Sequence, residues 1–397
     1  MGKIMKNFLI ISLFLSLPVL MSCQSNNVTS SDIQISVDSL YLDEKFPVYD
    51  SFSLESEQEI FMLDEEMLEM VESTLNTTSS PKKRAMKLIR HIFSKEKISL
   101  SYSNNANLTA RDAYHSQMAN CMSLTIMAFA LAKQANLNVD FQEVDVPEYW
   151  VRNGNYNLLT GHVNLLVRAS KYPDKDIIFG NDNIQIDFDP FINKQLFPRK
   201  IIGKNTVLAM FYNNKGGQAL VDKKYNVAYQ YLKAATVVDD TFSSAWGNLA
   251  VLYRLTDNTA LAEKLYRYAV QIDSKNLTAM TNLAILLRNK GDDEEASLIE
   301  SKLLRKRIKN PYYHAVLADE ALHSHDYQKA LSHYRKAIKL NKRVHEFHFG
   351  LAKVYYQMNK LEQAENALKK ALVLNKTKSI EHQYVAKLNF LKAEITN

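Results

Sequence analysis

The chain holds two cysteines, and one of them, Cys121, opens the apolar run "CMSLTIMAFALAKQ". A thiol does acyl chemistry as a thiolate, with a base to take its proton and a third group to orient that base. Apolar residues at Leu124, Met127, Ala128, Leu131 and Ala132 predict a helix over roughly 121–135 with Cys121 on its inward face. A helix N-terminus supplies unsatisfied N–H groups and partial positive charge, which favour a thiolate. Downstream, alternation in "GHVNLLV" puts His162, Asn164 and Leu166 on one strand face. In "IQIDFDP" it puts Gln185, Asp187 and Asp189 on one face. If those strands pair, Cys121 becomes a candidate nucleophile, His162 its base and Asp187 the orienting carboxylate.

The elements that must position these groups are legible in outline. Ile60, Leu63, Met67, Leu68 and Val71 recur at near-helical spacing and predict a helix over roughly 55–75. "SSPKKRAMKLIRHIF" offers Ser80 as N-cap and Pro81 as first helical residue. A short extended piece, "ISLSY", follows, and then "NLTARDAYHSQ" leads to Cys121. After the cysteine helix, "VDFQEVDV", "GHVNLLVRA" and "IQIDFDP" read as strands. Helices followed by strands indicate an α+β domain.

"NCMSLTIMAFALAKQANL", then "HVNLLV", then "IDFDP", resemble the core of the transglutaminase-like superfamily, within the wider papain-like group. The resemblance covers roughly residues 80–190, and "TARDAYHSQMAN" is similar to the loop before the nucleophile. It implies that Cys121, His162 and Asp187 form a triad for acyl transfer on an amide, with Asp189, directly before Pro190, as the alternative acid and with no cofactor or metal. The acceptor is left open between water, as in a peptidase, amidase or deamidase, and an amine, as in cross-linking. Asn120 and Met122 stand where the superfamily often carries an aromatic or a Gly-Gln or Gly-Val context, so the oxyanion donor is open too. The superfamily includes inert members, and the alternative is a catalytically inert scaffold.

The N-terminus is of another kind. "MGKIMKNFLIISLFLSLPVLMSC" has a basic start, an apolar run too short for a comfortable membrane span, and an ending that resembles a bacterial lipobox. The resemblance implies cleavage after Ser22 and lipid on Cys23. Gln24 then implies an outer-membrane, periplasm-facing destination. Lipid on Cys23 would leave Cys121 alone in a disulfide-permissive compartment. Residues 24–45 are polar and rich in Ser and Asn, as a tether would be.

From residue 209 the chain is periodic. Alanines recur every 34 residues at 228, 262, 296, 330 and 364. One unit, "SSAWGNLAVLYRLTDNTALAEKLYRYAVQIDS", carries Trp246, Leu249, Ala250, Tyr253, Ala262, Tyr266 and Ala269, and resembles the tetratricopeptide repeat. Five helix pairs are expected to begin near 209, 243, 277, 311 and 345, with a capping helix from 379. Lys215 in the first unit replaces the usual Leu. The repeat groove implies a protein or peptide partner, with Asn213, Arg254, Arg288 and Lys353 lining a basic surface for an acidic peptide or a C-terminal carboxylate.

The overall division is a signal peptide (1–22), a tether (23–45), a transglutaminase-like α+β domain (46–208), an all-α repeat solenoid (209–378) and a cap (379–397). Charge supports two modules. Residues 1–208 hold 20 Lys+Arg against 24 Asp+Glu, and the remainder 29 against 19, so a front half near −4 precedes a back half near +10. The basic residues are interspersed with acids and form no polybasic block, which argues against nucleic acid. His323 with His325, and His345 with His348, lack the cysteine or clustered carboxylates of a metal site.

Overall fold

The computed structural model describes residues 37–48, 52–93, 101–102, 106–116, 118–153, 156–168, 183–188, 197–375 and 378–396. The signal peptide, Cys23 and Asp189 lie outside the described residues. The chain divides into a unit ending at Leu40, whose described part is the 3-10 turn Val37–Leu40, and a unit Tyr41–Asn397.

The predicted helix over 55–75 is divided. Helix α1 (Glu57–Phe61) starts at a capping box in which Ser56 and Glu59 satisfy each other's backbone N–H groups. Helix α2 (Glu65–Met70) starts where Asp64 accepts from the Met67 N–H, and a π turn (Val71–Leu75) follows. The two caps cut a periodicity that otherwise buries Ile60, Met67 and Val71 and leaves Leu68 exposed. Helix α3 (Pro81–Phe93) begins as expected, with Ser80 Oγ accepting from the Lys83 N–H. Strands β1 (Ser101–Tyr102) and β2 (Met118–Ala119) form a short parallel pair. Between them lies helix α4 (Ala110–His115), capped by Thr109, inside the segment read as a loop.

Helix α5 (Cys121–Gln134) is buried almost all round, not on one stripe, because α1, α3, α4 and the sheet enclose it. Next come β3 (Asn138–Val144), the hairpin β4 (Tyr149–Asn153) and β5 (Tyr156–Thr160), β6 (Val163–Arg168), β7 (Ile184–Ile186) and β8 (Arg199–Ile202). The four-stranded sheet has the order β7-β6-β3-β8, every pair antiparallel. Its residues Val139, Phe141, Leu165, Val167 and Ile186 share one core with α5. Hairpin β4–β5 and edge strand β8 are elements that the sequence pattern did not announce.

Five antiparallel pairs follow. They are α6 (Lys204–Val221) with α7 (Tyr225–Val238), α8 (Ser243–Leu255) with α9 (Thr259–Ile272), and α10 (Leu277–Lys290) with α11 (Asp293–Arg307). The last two are α12 (Pro311–His323) with α13 (Tyr327–Leu340) and α14 (His345–Gln357) with α15 (Leu361–Leu374). Helix α16 (Lys378–Thr396) closes the end with Tyr384, Leu388 and Leu391 buried. All five periodic alanines are fully buried, which lets paired helices approach. A second periodicity sits in the turns. Lys223, Asp257, Gly291, His325 and Asn359 all have positive φ, so each first helix ends in the same left-handed residue.

Three boundaries differ from expectation. The first repeat helix begins at Lys204, ahead of residue 209. The end of the expected tether is packed structure: Tyr41 stacks on Trp246 at 6.0 Å, and Phe46, the residue after the tether, on Tyr229 at 4.7 Å. Asp43 accepts from Tyr229 and Lys233, and Tyr229 Oη in turn accepts from the Leu42 N–H. Farther on, Glu55 accepts from Tyr231 and from the Lys215 ammonium, which accounts for a lysine at a usual leucine position. Finally, the two charge-distinct halves are not separate bodies. One core runs from α5 and the sheet through Val207, Phe211 and Tyr212 to Tyr231, Ala235 and Ala245.

Candidate functional site

Cys121 is the first residue of α5, and Asn120 is its cap. The Asn120 Oδ1 accepts from the Ser123 N–H at 2.8 Å while its Nδ2 donates to Asn107 Oδ1 at 2.7 Å. Ser123 Oγ donates to Ala106 O and accepts from the Leu108 N–H, both at 2.8 Å. Residues 106–108 are thereby tied over the helix start, and the β1–β2 pair fixes the approach to it. The first-turn N–H groups of Cys121 and Met122 have no intrahelical acceptor, as in any helix. Cys121 itself is a free thiol, 9% exposed.

His162 stands one residue before β6 and is held by its own backbone, whose carbonyl accepts from the Val144 N–H at 2.9 Å. Strand β7 pairs with β6 in the register Leu165↔Ile186 and Leu166↔Gln185. One further step along that antiparallel register puts Asp187 opposite Asn164. The His162 Nε2 lies 2.8 Å from Asp187 Oδ1, and both side chains are buried. The other carboxylate oxygen, Oδ2, accepts from Asn164 Nδ2 at 2.8 Å and from Gln185 Nε2 at 3.3 Å. With Nε2 committed to Asp187, Nδ1 is the nitrogen left for sulfur.

Electrostatics bind the three groups together. Burial pushes the His162 imidazole toward neutrality. The hydrogen bond to Asp187, the hydrogen bond to Cys121 and the negative charge of both outweigh it and raise the pKa to about 9. One turn past Cys121, Thr125 Oγ1 donates to Val163 O at 3.3 Å and joins α5 to β6 beside the imidazole. The structure therefore brings Cys121, His162 and Asp187 together from three segments. Asn164 and Gln185 were missed as partners of the carboxylate. The same alternation that placed them beside His162 and Asp187 was the signal that could have found them.

The four side chains expected to line a basic groove have these surroundings. Asn213 is buried and accepts from Asn248 Nδ2 at 2.8 Å. Arg288 pairs with Asp293 and Glu300, and Lys353 pairs with Asp319. Arg254 lies against the Tyr266 phenol of its own helix pair. Acids on neighbouring turns and helices thus take up charge that the linear pattern left uncovered. Of the other histidines, His345 faces Tyr384 and Glu346, and His348 bonds to Lys342 O.

Models of the tetratricopeptide-repeat family match residues 243–276 and 321–380. Among solved structures, PilF of Pseudomonas aeruginosa is 18% identical, over 48% of this chain and 90% of its own, with a TM-score of 0.31. Yeast Tom70 is 16% identical over 48% of this chain and 55% of its own, with a TM-score of 0.29. MamA from Desulfovibrio magneticus is 13% identical over 43% of this chain and 96% of its own, with a TM-score of 0.27. No curated protein matches the chain in sequence. The C-terminal part is a helical solenoid of tetratricopeptide-like repeats.

Proposed function

We propose that this chain joins its repeat scaffold to a thiol-dependent acyl-transfer centre of the transglutaminase-like, papain-like kind. The observation that carries the reading is the buried His162–Asp187 hydrogen bond beside Cys121 at a helix N-terminus. An imidazolium next to a thiol favours the thiolate. The Cys121 sulfur attacks an amide carbonyl carbon, and the tetrahedral oxyanion forms against first-turn N–H groups of α5. The C–N bond then breaks as the His162 imidazolium gives its proton to the leaving amine. Water or a second amine attacks the resulting thioester, His162 takes its proton, and the C–S bond breaks to restore the thiol. Asp187 holds the imidazole in the required orientation throughout.

In this reading the repeats hold a protein or peptide whose amide reaches the sulfur, and lipid on Cys23 tethers the chain to the envelope, at an outer membrane facing the periplasm. Reactivity of the thiol tests the centre. Iodoacetamide at neutral pH is expected to modify Cys121 far faster than a free thiol, with the advantage lost in His162→Ala. A rate equal to that of a free thiol in both proteins refutes the chemistry and leaves the inert scaffold. Radiolabelled palmitate incorporation in the bacterial host, lost in Cys23→Ser, tests the anchor.

A further inference from the structure

We propose that Asn164 is a positioning residue for the His162–Asp187 pair, locking the carboxylate from the side opposite the imidazole. The inference rests on the thiol reading above and extends it to a residue outside the triad. Asp187 presents Oδ1 to His162 and Oδ2 to Asn164, each at 2.8 Å. Turning the carboxylate about its last torsion breaks one bond or the other, so the amide fixes the plane in which the imidazole must lie. The direction of that amide is settled by chemistry. A carboxylate only accepts, so Nδ2 must face it and Oδ1 must point away.

The second observation is what that orientation costs. Asn164 is fully buried, and its Oδ1 has no hydrogen-bond partner. Gln142 lies directly across β3–β6 from it, is also buried, and has an unpartnered Oε1. An unpaired buried acceptor destabilises a fold, and Asn164 bears that cost at Oδ1 while giving its donor to Asp187. An amide that leaves its own buried oxygen unpaired while donating to the carboxylate that steadies His162 is the pattern of a residue kept for a site.

The test uses the full chain with Asn164→Leu, Asn164→Asp and His162→Asn. Three readings are taken: Cys121 alkylation by iodoacetamide from pH 5 to 10, the His162 ring titration by NMR, and the thermal midpoint. For Asn164→Leu the Tm is expected to fall, because Asp187 Oδ2 keeps only the 3.3 Å bond from Gln185. Its alkylation rate at neutral pH falls about tenfold or more, the usual worth of a hydrogen bond to a charged group. Its imidazole midpoint falls from about 9. Asn164→Asp keeps size and polarity if the leucine variant does not fold. Its new carboxyl can donate to Asp187 only while protonated, so its rate profile gains a titration step the parent lacks. A parent-like rate and imidazole midpoint in Asn164→Leu, or a parent-like profile in Asn164→Asp, overturns the positioning role. Loss of the underlying chemistry is read separately: His162→Asn then leaves the alkylation rate unchanged.

Discussion

The Arg307 guanidinium grips the Glu148 carboxylate through two parallel hydrogen bonds, Nε to Oε2 at 2.8 Å and Nη2 to Oε1 at 2.9 Å. Its third nitrogen, Nη1, donates to Thr281 Oγ1, and Asn310 Nδ2 donates to the Glu148 carbonyl at 2.7 Å. Glu148 is the residue before β4, and the β4–β5 hairpin ends two residues before His162. The segment that delivers the imidazole is thus pinned at its outgoing end to the third repeat and the start of the fourth. Removing one partner of such a pair leaves a charge without its complement. Arg307→Ala is expected to cost about 3 kcal/mol in urea denaturation, and Glu148→Ala on top of it little more. Additive costs would dissolve the clamp.

The His162 ring sets a pH window. Its pKa is raised to about 9 in the fold against an ordinary 6.5, so the folded protein holds the proton more tightly than the unfolded chain. The stability this gives is complete below pH 6.5 and is lost as the pH climbs through about 9. His162→Gln should flatten the decline of Tm between those limits. Reactivity follows the same charge. Anionic iodoacetate should be favoured over neutral iodoacetamide at pH 7, and the ratio should fall through about 9. A ratio independent of pH would mean the imidazolium does not sit by the sulfur.

The left-handed turns allow a stabilising change. A side chain at positive φ crowds its own carbonyl, and glycine does not. Lys223→Gly and His325→Gly, at φ 58° and 61°, are each expected to add about 0.5–1 kcal/mol in denaturant titration. Gly291→Ala, at φ 88°, should subtract about 1 kcal/mol or more. Opposite signs would refute the shared turn geometry.

The strap formed by residues 41–46 is expected to depend on Phe46, which is buried between Tyr229 and Tyr253. Phe46→Ala should cost about 3 kcal/mol and open the 41–48 stretch to trypsin at Lys45. Resistance equal to the parent would show that Asp43 and Tyr41 hold the strap without the ring.

What the sequence disclosed follows from which signals are periodic. The 34-residue alanine spacing located the helix pairs, since each buried alanine recurs at the same crossing. Strand alternation put His162 with Asn164 and Asp187 with Gln185, and the observed register brings those four side chains together. "YLDEK" suggests a tether because it is polar on average, while Tyr41 and the adjoining Phe46 anchor it against distant helices through their rings. Arg288 looked available because its acids, Asp293 and Glu300, lie on the next helix and meet it only after the pair folds back. Asp64 was passed over as a cap since a continuous apolar stripe ran across it.

The unbroken interior joining α5, the sheet, α6 and α7 leaves the sulfur without a swivel relative to the first repeats. Under the proposed function, a polypeptide laid along the array would be offered to Cys121 at a constant offset, as a workpiece is in a jig. Selection among targets would then fall on the number of residues between the docked stretch and the reactive amide, and a target of the wrong span would fail however well its ends fit.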